Sequence, residues 1–148
     1  MQIHAGRYKG RRIKTVKNAP YRPTTSLVRK SLFDILKNIS GKTLLDLFAG
    51  SGIIGFEALS RGAKTITFVD SSLRVNSLLK MNSIFFKEEE IIFVKNDVFK
   101  FLKKSDSYDF IFADPPYNFD NFNELIEQAI LHLNDNGVFV LESSLQEY

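Results

Sequence analysis

From residue 43 onward, the chain alternates between short apolar stretches that favour strands and longer stretches that favour helices. The predicted strands are Thr43–Phe48, Thr65–Val69, Ile91–Val94, Tyr108–Ala113 and Val138–Leu141. The predicted helices are Gly52–Arg61, Ser72–Phe86, Val98–Lys104 and Asn121–Leu133, and a turn over residues 134–137 precedes the last strand. This order predicts an α/β fold with a doubly wound, mostly parallel sheet and right-handed crossovers.

Length and composition limit the classes of protein that fit this pattern. The chain has 148 residues, of which 44% are apolar and 25% charged, as expected of a globular domain. It has no cysteine, which excludes disulfides and thiolate metal sites, and its two separated histidines disfavour a histidine metal site. Because no apolar run resembles a membrane span or a signal peptide, we expect a soluble, cytoplasmic protein without a metal.

The basic residues are concentrated at the N-terminus. Residues 1–30 contain nine of the twenty Lys and Arg residues and no acidic residue, whereas the rest of the chain has a net charge of −6. Apolar residues alternate with these charges, and Gly6 and Gly10 supply turns, which favours an ordered arm of short strands over residues 1–17. A basic arm on an acidic body is typical of nucleic-acid-binding proteins.

A helix is predicted to follow the arm. After two prolines, Thr24 or Thr25 can cap a helix that runs to about Asn38. The apolar positions expected to face the core are Leu27, Val28, Phe33, Ile35, Leu36 and Ile39. This packing predicts that Arg29 and Lys30 lie together on the solvent side.

Four of the five predicted strands end at or near an aspartate, namely Asp46, Asp70, Asp97 and Asp114. The carboxyl ends of parallel strands meet at one edge of a sheet, where ligands of open α/β sheets bind. The stretch Gly50–Gly55 after the first strand also fits the dinucleotide pattern G-x-G-x-x-G. An aspartate after the second strand can accept hydrogen bonds from ribose hydroxyls, and one after the third can accept from an adenine amine.

The charge of this edge helps to choose between ligands. Several converging carboxylates suit a cationic, hydroxyl-rich ligand better than a pyrophosphate, which they would repel. S-adenosylmethionine carries a sulfonium and an ammonium group, so it is favoured over a nicotinamide dinucleotide. A nicotinamide-dependent oxidoreductase is the alternative for the glycine pattern, but it leaves Asp97 and Asp114–Tyr117 without a role.

The stretch Asp114-Pro115-Pro116-Tyr117 follows an aromatic-rich predicted strand, which the two prolines must end because they cannot donate to a sheet ladder. It presents a carboxylate, a rigid turn and an aromatic ring at the ligand-binding edge. Together with Asp46–Gly52, Asp70 and Asp97, this stretch resembles the Rossmann-like class I S-adenosylmethionine-dependent methyltransferases that act on exocyclic amines. In that class, a D/N-P-P-Y/F loop follows the fourth strand, as it does here.

Four further segments resemble the bacterial RsmD family, namely Ala5–Arg12, Arg22–Thr25, Val28–Leu36 and Glu57–Ala63. The resemblance covers nearly the whole chain. It implies S-adenosylmethionine as cofactor and methylation of guanine N2 in 16S ribosomal RNA within the small subunit. The family continues past the fifth strand into two more strands, which we expect this chain to lack, and we expect a monomer.

The resemblance also implies roles for individual residues. Residues 1–40 would form an RNA-binding arm and helix, and residues 41–148 the methyltransferase core that binds S-adenosylmethionine. Catalytic roles fall on Asp114, Pro115, Pro116 and Tyr117. The implied cofactor-binding residues are Asp46, Phe48, Gly50, Gly52, Asp70, Asp97, Val98 and Asp114. The implied RNA-binding residues are Arg7, Lys9, Arg11, Arg12, Arg22, Arg29 and Lys30.

Three alternatives share parts of this pattern. A DNA adenine-N6 methyltransferase would use the same Asp114–Tyr117 loop, and only the arm disfavours it. A protein glutamine methyltransferase usually carries asparagine at the position of Asp114, which counts against it. A catalytically silent protein that binds ribosomal RNA or assists ribosome assembly is favoured by the expected absence of the last two strands.

Overall fold

The computed structural model describes residues 1–15, 25–86 and 90–142. It contains a five-stranded sheet with the order β3-β2-β1-β4-β5, and every neighbouring pair of strands is parallel. The strands are β1 Thr43–Leu47, β2 Thr65–Asp70, β3 Glu90–Lys95, β4 Tyr108–Ala113 and β5 Leu133–Leu141. The helices are α1 Ser26–Leu36, α2 Ile53–Ser60, α3 Leu73–Ser83, α4 Val98–Leu102 and α5 Phe122–Leu131, with a 3-10 turn at Ile84–Phe86. The predicted doubly wound α/β fold is therefore confirmed.

The sheet is covered by apolar side chains on both faces. In β1, Leu44 joins the hydrophobic cluster formed with α1, α2 and α3, whereas Leu45 and Leu47 join the cluster formed with α4 and α5. Successive strand residues point to opposite faces, so one short apolar run supplies both clusters. The order in which strands are added across the sheet reverses between β1 and β4, which places the two groups of helices on opposite faces.

Some ends of the helices and strands match the predictions and others do not. The Thr25 side chain accepts a hydrogen bond from the Val28 amide at 3.2 Å, which confirms one of the two predicted caps of α1. The helix predicted to end at Phe86 instead ends at Ser83 and continues as the 3-10 turn. The predicted turn at 134–137 lies inside β5, where Asn136 has a φ of 63° and the register to β4 shifts. The residues predicted to form a turn thus form an irregular part of β5.

The orientation of α1 differs from the prediction. Leu27 and Ile35, expected in the core, have exposed fractions of 74% and 66%. Arg29, expected at the solvent side, is buried at 1% exposure, whereas Lys30 is exposed as predicted. The buried positions of the helix are Arg29, Leu32, Phe33 and Leu36. Their spacing is that of a single helical face, so Arg29 belongs to the packed stripe.

The N-terminal arm is ordered and lies against α2. Gln2 and Arg12 form an isolated antiparallel bridge, and the Ile3 amide donates to the Arg11 carbonyl at 2.9 Å. Ile3 and Ile13 are buried at 2% and 3% exposure in the same cluster as α2 and α3. The arm is therefore ordered as predicted up to residue 15, but an isolated bridge stands there in place of the predicted short strands. The predictions for residues 16–24, including Arg22, lie outside the described residues.

No helix within the described ranges is long and apolar enough to cross a membrane.

Candidate active site

The carboxyl ends of β1, β2 and β4 bring three predicted site segments together. The Gly50 amide after β1 lies 3.4 Å from an Asp70 carboxylate oxygen after β2. The Asp114 amide after β4 lies 3.4 Å from the Leu47 carbonyl at the end of β1. The glycine turn, Asp70 and the loop that starts at Asp114 therefore share one edge of the sheet, as predicted.

The turn after β1 requires unusual backbone conformations. Phe48, Gly50 and Gly52 have positive φ values of 57°, 57° and 83°. A Cβ atom on Gly52 would lie 2.6 Å from Leu79 Cδ2 of α3, and one on Gly55 would lie 2.3 Å from the ring of Phe68. Glycine is thus needed at position 52 for conformation and at both positions for close packing.

Asp46 is the most deeply buried carboxyl group of the site. It is 1% exposed, and no described polar group lies within hydrogen-bonding distance of its Oδ2. Burial raises the pKa of Asp46 well above its usual range, the Gly55 backbone amide opposes this rise, and Asp114 and Asp70 add to it. A buried carboxyl oxygen without a partner is costly, so the site favours a ligand that supplies a hydrogen-bond donor or a positive charge.

Asp70 is partly exposed at the end of β2. Its Oδ1 accepts a hydrogen bond from the Ser72 amide at 3.0 Å, and its Oδ2 faces the Gly50 amide. Burial raises the pKa of Asp70, although these two backbone hydrogen bonds oppose the rise. The N-cap of α3 is Ser72, so Asp70 is not the capping residue and its carboxylate edge is held toward the glycine turn.

Asp97 begins α4 and has a structural role of its own. One carboxylate oxygen accepts the Lys100 amide at 3.1 Å, which makes Asp97 the N-cap of the helix. Its side chain is exposed, whereas Val98 is buried. The cap holds the carboxylate at the carboxyl end of β3, where the sequence analysis placed it.

The loop after β4 exposes one end and buries the other. Pro115 is buried, Asp114 is partly buried, and Tyr117 is 72% exposed. The Phe119 amide donates to the Pro116 carbonyl at 3.0 Å and closes a turn. The Asp114 carboxylate therefore lies on the side of the loop next to the protein, and the Tyr117 ring lies on the side next to solvent.

Phe119 supports this loop, although it is not among the site residues predicted from the sequence. Its ring centroid lies 5.4 Å from that of Phe48, 6.1 Å from that of Phe99 and 5.1 Å from that of Phe122. These rings belong to the glycine turn, α4 and α5. One side chain, which directly follows the Asp114–Tyr117 loop, thus contacts three other segments.

The predicted RNA-binding residues divide into two groups. Those exposed in the described residues are Arg7, Lys9, Arg11, Arg12 and Lys30. Arg7 and Arg11 lie over the Tyr8 ring, with guanidinium carbons 5.3 and 5.7 Å from its centroid. Four of these exposed cations lie on the arm, and Lys30 lies on α1.

Arg29 does not belong to this exposed group, which corrects the prediction. One guanidinium nitrogen donates to the Gln2 carbonyl at 2.6 Å and contacts His4, while Nε lies 3.6 Å from Glu57 Oε1. Burial lowers the pKa of Arg29, and the nearby Glu57 carboxylate opposes this. Arg29 thus fastens the arm to the core and is not available to a phosphate.

Glu57, also missed as a functional residue, organises the attachment of the arm. It is fully buried and accepts hydrogen bonds from the His4 amide at 2.7 Å, the Ala5 amide at 3.2 Å and Arg61 Nε at 3.0 Å. A buried carboxylate with this many donors is well satisfied. Its only signal in the sequence is an acidic residue inside an otherwise apolar helix.

Fold and site together define a Rossmann-like methyltransferase. A solved structure from Escherichia coli, named a putative methyltransferase, superimposes with a TM-score of 0.88 at 31% identity, covering 99% of this chain and 82% of that chain. Another, named a putative methyltransferase complexed with SAH, gives a TM-score of 0.69 at 26% identity over 79% of this chain and 34% of that chain.

Sequence comparison identifies the family. The family described as Conserved hypothetical protein 95 matches residues 1–147. The ribosomal RNA small subunit methyltransferase D of Haemophilus influenzae is 37% identical over 143 residues, which cover 93% of this chain and 72% of that protein. The chain belongs to this family, the RsmD family.

Proposed function

We propose that this protein is an S-adenosylmethionine-dependent methyltransferase that modifies the exocyclic N2 amine of a guanine in 16S ribosomal RNA of the small subunit. The observation that carries the proposal is the convergence of the Asp114–Tyr117 loop with Asp70 and the glycine turn at one sheet edge. Relatives named ribosomal RNA small subunit methyltransferase D support the RNA substrate. Such a substrate would place the protein in the cytoplasm.

The site fits the proposed cofactor. A donor or a positive charge on the ligand would satisfy the unpartnered Asp46 Oδ2, and a cation there would oppose the rise that burial causes in the pKa of this carboxyl. Asp70 would hold the ribose, and Asp97 and Val98 would hold the adenine. The turn from Phe48 to Gly52 would lie against the bound ligand. When bound, S-adenosylmethionine supplies a methyl group activated by the sulfonium.

The protein's own residues would make the target nitrogen reactive. An exocyclic amine is a poor nucleophile because its lone pair is conjugated into the ring. Asp114 would accept one amine hydrogen and the Pro115 carbonyl the other, and the proline ring restricts the backbone that carries this carbonyl. Both hydrogen bonds strengthen as the nitrogen becomes positive, so they stabilise the transition state more than the ground state.

Tyr117 and the arm would position the RNA. The Tyr117 ring is 72% exposed beside Asp114, where it can stack on a base that has left its helix. The exposed cations of the arm would contact phosphates, which fix register without reading sequence. In this proposal, residues 1–40 hold RNA, and residues 41–148 bind the cofactor and carry out the transfer.

Methyl transfer is the direct test. Labelled S-adenosylmethionine is incubated with 30S particles and with naked 16S RNA, both lacking the modification, and the product nucleosides are analysed. N2-methylguanosine at a single position is the expected result. Methyladenine, or label in DNA, would retain the mechanism and overturn the substrate. Absence of transfer, with RNA and cofactor both bound, would favour a silent RNA-binding protein.

The role of Asp114 is tested by Asp114→Ala. We expect methyl transfer to fall by about 100-fold or more, because a hydrogen bond that forms fully in the transition state is lost. RNA affinity should remain close to that of the wild type. The matched control is Asp120→Ala, which replaces an exposed aspartate of the same loop and should retain activity. Equal activity of the two variants would contradict the proposed role.

A further inference from the structure

Asn82 lies in the last turn of α3 and is completely buried. Its side-chain amide joins two segments that are far apart in sequence. On the arm, its Oδ1 accepts the Lys14 amide at 2.9 Å and its Nδ2 donates to the Lys14 carbonyl at 3.0 Å. On the glycine turn, the same Nδ2 faces the Ser51 carbonyl at 3.3 Å.

Two neighbouring contacts tie the same segments together. The Ser51 hydroxyl lies 3.6 Å from the Met1 sulfur, and the Met1 carbonyl accepts the Ile13 amide at 2.9 Å, so the arm also reaches the turn directly. One helical turn before Asn82, Leu79 occupies the space that a side chain at Gly52 would take. The C-terminal half of α3 is thus packed between the arm and the glycine turn.

This arrangement differs from that of an ordinary satisfied core amide. The other buried asparagine of α3, Asn76, donates only to Asp70 and Ser72 carbonyls in the turn that precedes its own helix. Asn82 instead bonds the backbone of one segment proposed to hold RNA and one proposed to hold the cofactor. A movement of either segment changes the hydrogen bonds of the other, because the buried amide has no solvent to replace a lost partner.

We propose that Asn82 is a positioning residue that couples the arm to the glycine turn, so that RNA and cofactor bind with positive cooperativity. The inference rests on the proposed function. Each ligand would restrict one of the two linked segments, and the second ligand would then bind to a segment that is already restricted. The coupling is reciprocal, so RNA would raise cofactor affinity by the same factor by which cofactor raises RNA affinity.

Calorimetry measures this factor. The dissociation constant of S-adenosylhomocysteine is determined with and without a saturating unmodified 16S RNA transcript. For the wild type, we expect RNA to tighten S-adenosylhomocysteine binding by about fivefold or more. In Asn82→Asp, an acceptor for the Lys14 amide remains but both donated hydrogen bonds are lost, and the factor should fall close to one. Among the described residues, the Ser83 hydroxyl bonds only the Lys80 carbonyl of its own helix, so Ser83→Ala should keep the wild-type factor.

The outcomes separate the inference from the proposed function. A wild-type chain that binds S-adenosylhomocysteine but neither the transcript nor unmodified 30S particles would refute both. A wild-type chain that binds both ligands independently would refute the inference alone. Asn82→Asp could instead bind each ligand more weakly while RNA still tightens S-adenosylhomocysteine binding by the wild-type factor. This result would also refute the inference, because a merely structural role of Asn82 predicts it.

Hydrogen exchange of the wild type provides a test that needs no variant. S-adenosylhomocysteine should slow exchange of the Lys14 amide in the arm, and the RNA transcript should slow exchange of the Gly52 amide in the glycine turn. Protection confined to the segment that holds each ligand would overturn the proposed coupling, even if Asn82→Asp failed to fold.

Discussion

At the scale of single residues, Asp46 and Asp109 show how two carboxyl groups near the same sheet meet opposite environments. Asp46 is buried with one oxygen unpartnered among the described residues, and its pKa is raised by burial. Burial would also raise the pKa of Asp109, but hydrogen bonds from Thr43 and Asn134 outweigh it and lower that pKa. We propose that the first carboxyl contacts the ligand, whereas the second joins β1, β4 and β5.

Asp46→Asn should stabilise the unliganded protein at pH 7.5 and weaken S-adenosylhomocysteine binding. Between the usual carboxyl pKa of 3.8 and the raised pKa of native Asp46, the folded state binds a proton that the unfolded state does not. The wild type therefore loses stability as pH rises through this window, and the asparagine variant avoids that loss. Urea unfolding at several pH values and calorimetry with S-adenosylhomocysteine measure the two effects.

Asp109→Asn is the matched control with the opposite sign. Its lowered pKa means that the native carboxylate adds stability above the usual pKa of 3.8, and that this stability is lost as pH falls through the native pKa. The variant should be less stable than the wild type at pH 7.5. An Asp46→Asn variant that is also destabilised at this pH would contradict the interpretation of Asp46.

At the scale of elements, the loop after β4 depends on an aromatic cluster made of Phe48, Phe99, Phe119 and Phe122. Aromatic pairs in such edge-to-face and stacked arrangements add about 0.5–1.5 kcal/mol each beyond their burial. Phe119 is the shared member of all three pairs. It therefore holds the turn that contains Asp114 and Tyr117 against the rest of the site.

Phe119→Ala should lower the rate of methyl transfer by about 10- to 100-fold, because small displacements of positioning groups have effects of this size. RNA binding by the arm should be unchanged. Single-turnover methylation and RNA binding are measured for this variant, for Phe119→Leu, which should recover part of the rate, and for Leu131→Ala, an exposed control on α5. A rate equal to that of Leu131→Ala would show that Phe119 does not position the loop.

A second element-scale contact attaches the arm to the end of α2. Gly6 has a φ of 87°, and a Cβ there would lie 2.0 Å from the Ser60 carbonyl oxygen. The Arg7 amide donates to this oxygen at 2.7 Å, and the Ser60 hydroxyl donates to the Ala5 carbonyl at 2.6 Å. The arm backbone approaches the helix as closely as only glycine permits.

Gly6→Ala should therefore destabilise the protein more than Gly10→Ala. Gly10 has nearly the same φ, 86°, but no described atom lies within 4 Å of the position that its Cβ would take. Both variants carry the left-handed backbone cost of about 1–2 kcal/mol, and Gly6→Ala adds about 1–3 kcal/mol of steric conflict. Equal free energies of unfolding in urea would show that the arm does not pack this closely in solution.

At the scale of the whole molecule, the separation of a basic arm from an acidic body determines how RNA would be held. Residues 1–30 contain no acidic residue, and the remaining chain has a net charge of −6. Six cationic side chains, Arg7, Lys9, Arg11, Arg12, Lys14 and Lys30, are exposed in the described part of this basic segment. Phosphate contacts of this kind make affinity fall with salt because counterions are released.

RNA affinity should fall steeply with salt, and the double variant Lys9→Ala/Arg12→Ala should reduce the logarithmic slope by about 1–2. The paired control Lys103→Ala/Lys104→Ala removes two exposed cations after α4 and should leave the slope unchanged. Filter binding of the 16S transcript between 50 and 200 mM salt, about the range over which such slopes are resolved, measures both. A flat response in the wild type would argue against the role of the arm.

Much of the candidate site could be predicted from the sequence because its signals are local. Short apolar runs and intervening helices indicate the parallel sheet, and the residues that end each strand indicate the ligand edge. The positions of Gly52, Asp70 and Asp114 follow from this order alone. The prediction for Arg29 is wrong because it assigns Leu27 and Ile35 to the core, whereas the stripe that contains Leu32 and Phe33 is the one that packs.

The sequence by itself thus determined which residues follow each strand, where the glycine turn lies and where the basic arm lies. Each of these features depends on residues that are neighbours along the chain. Only the tertiary structure decided which polar groups meet inside the molecule. Arg29 pairs with Glu57, and Asn82 forms hydrogen bonds with the backbone of Lys14 and Ser51. One oxygen of Asp46 has no hydrogen-bond partner among the described residues. These outcomes depend on how helices rotate and pack against one another, because burial and hydrogen bonding are set by residues that are distant along the chain.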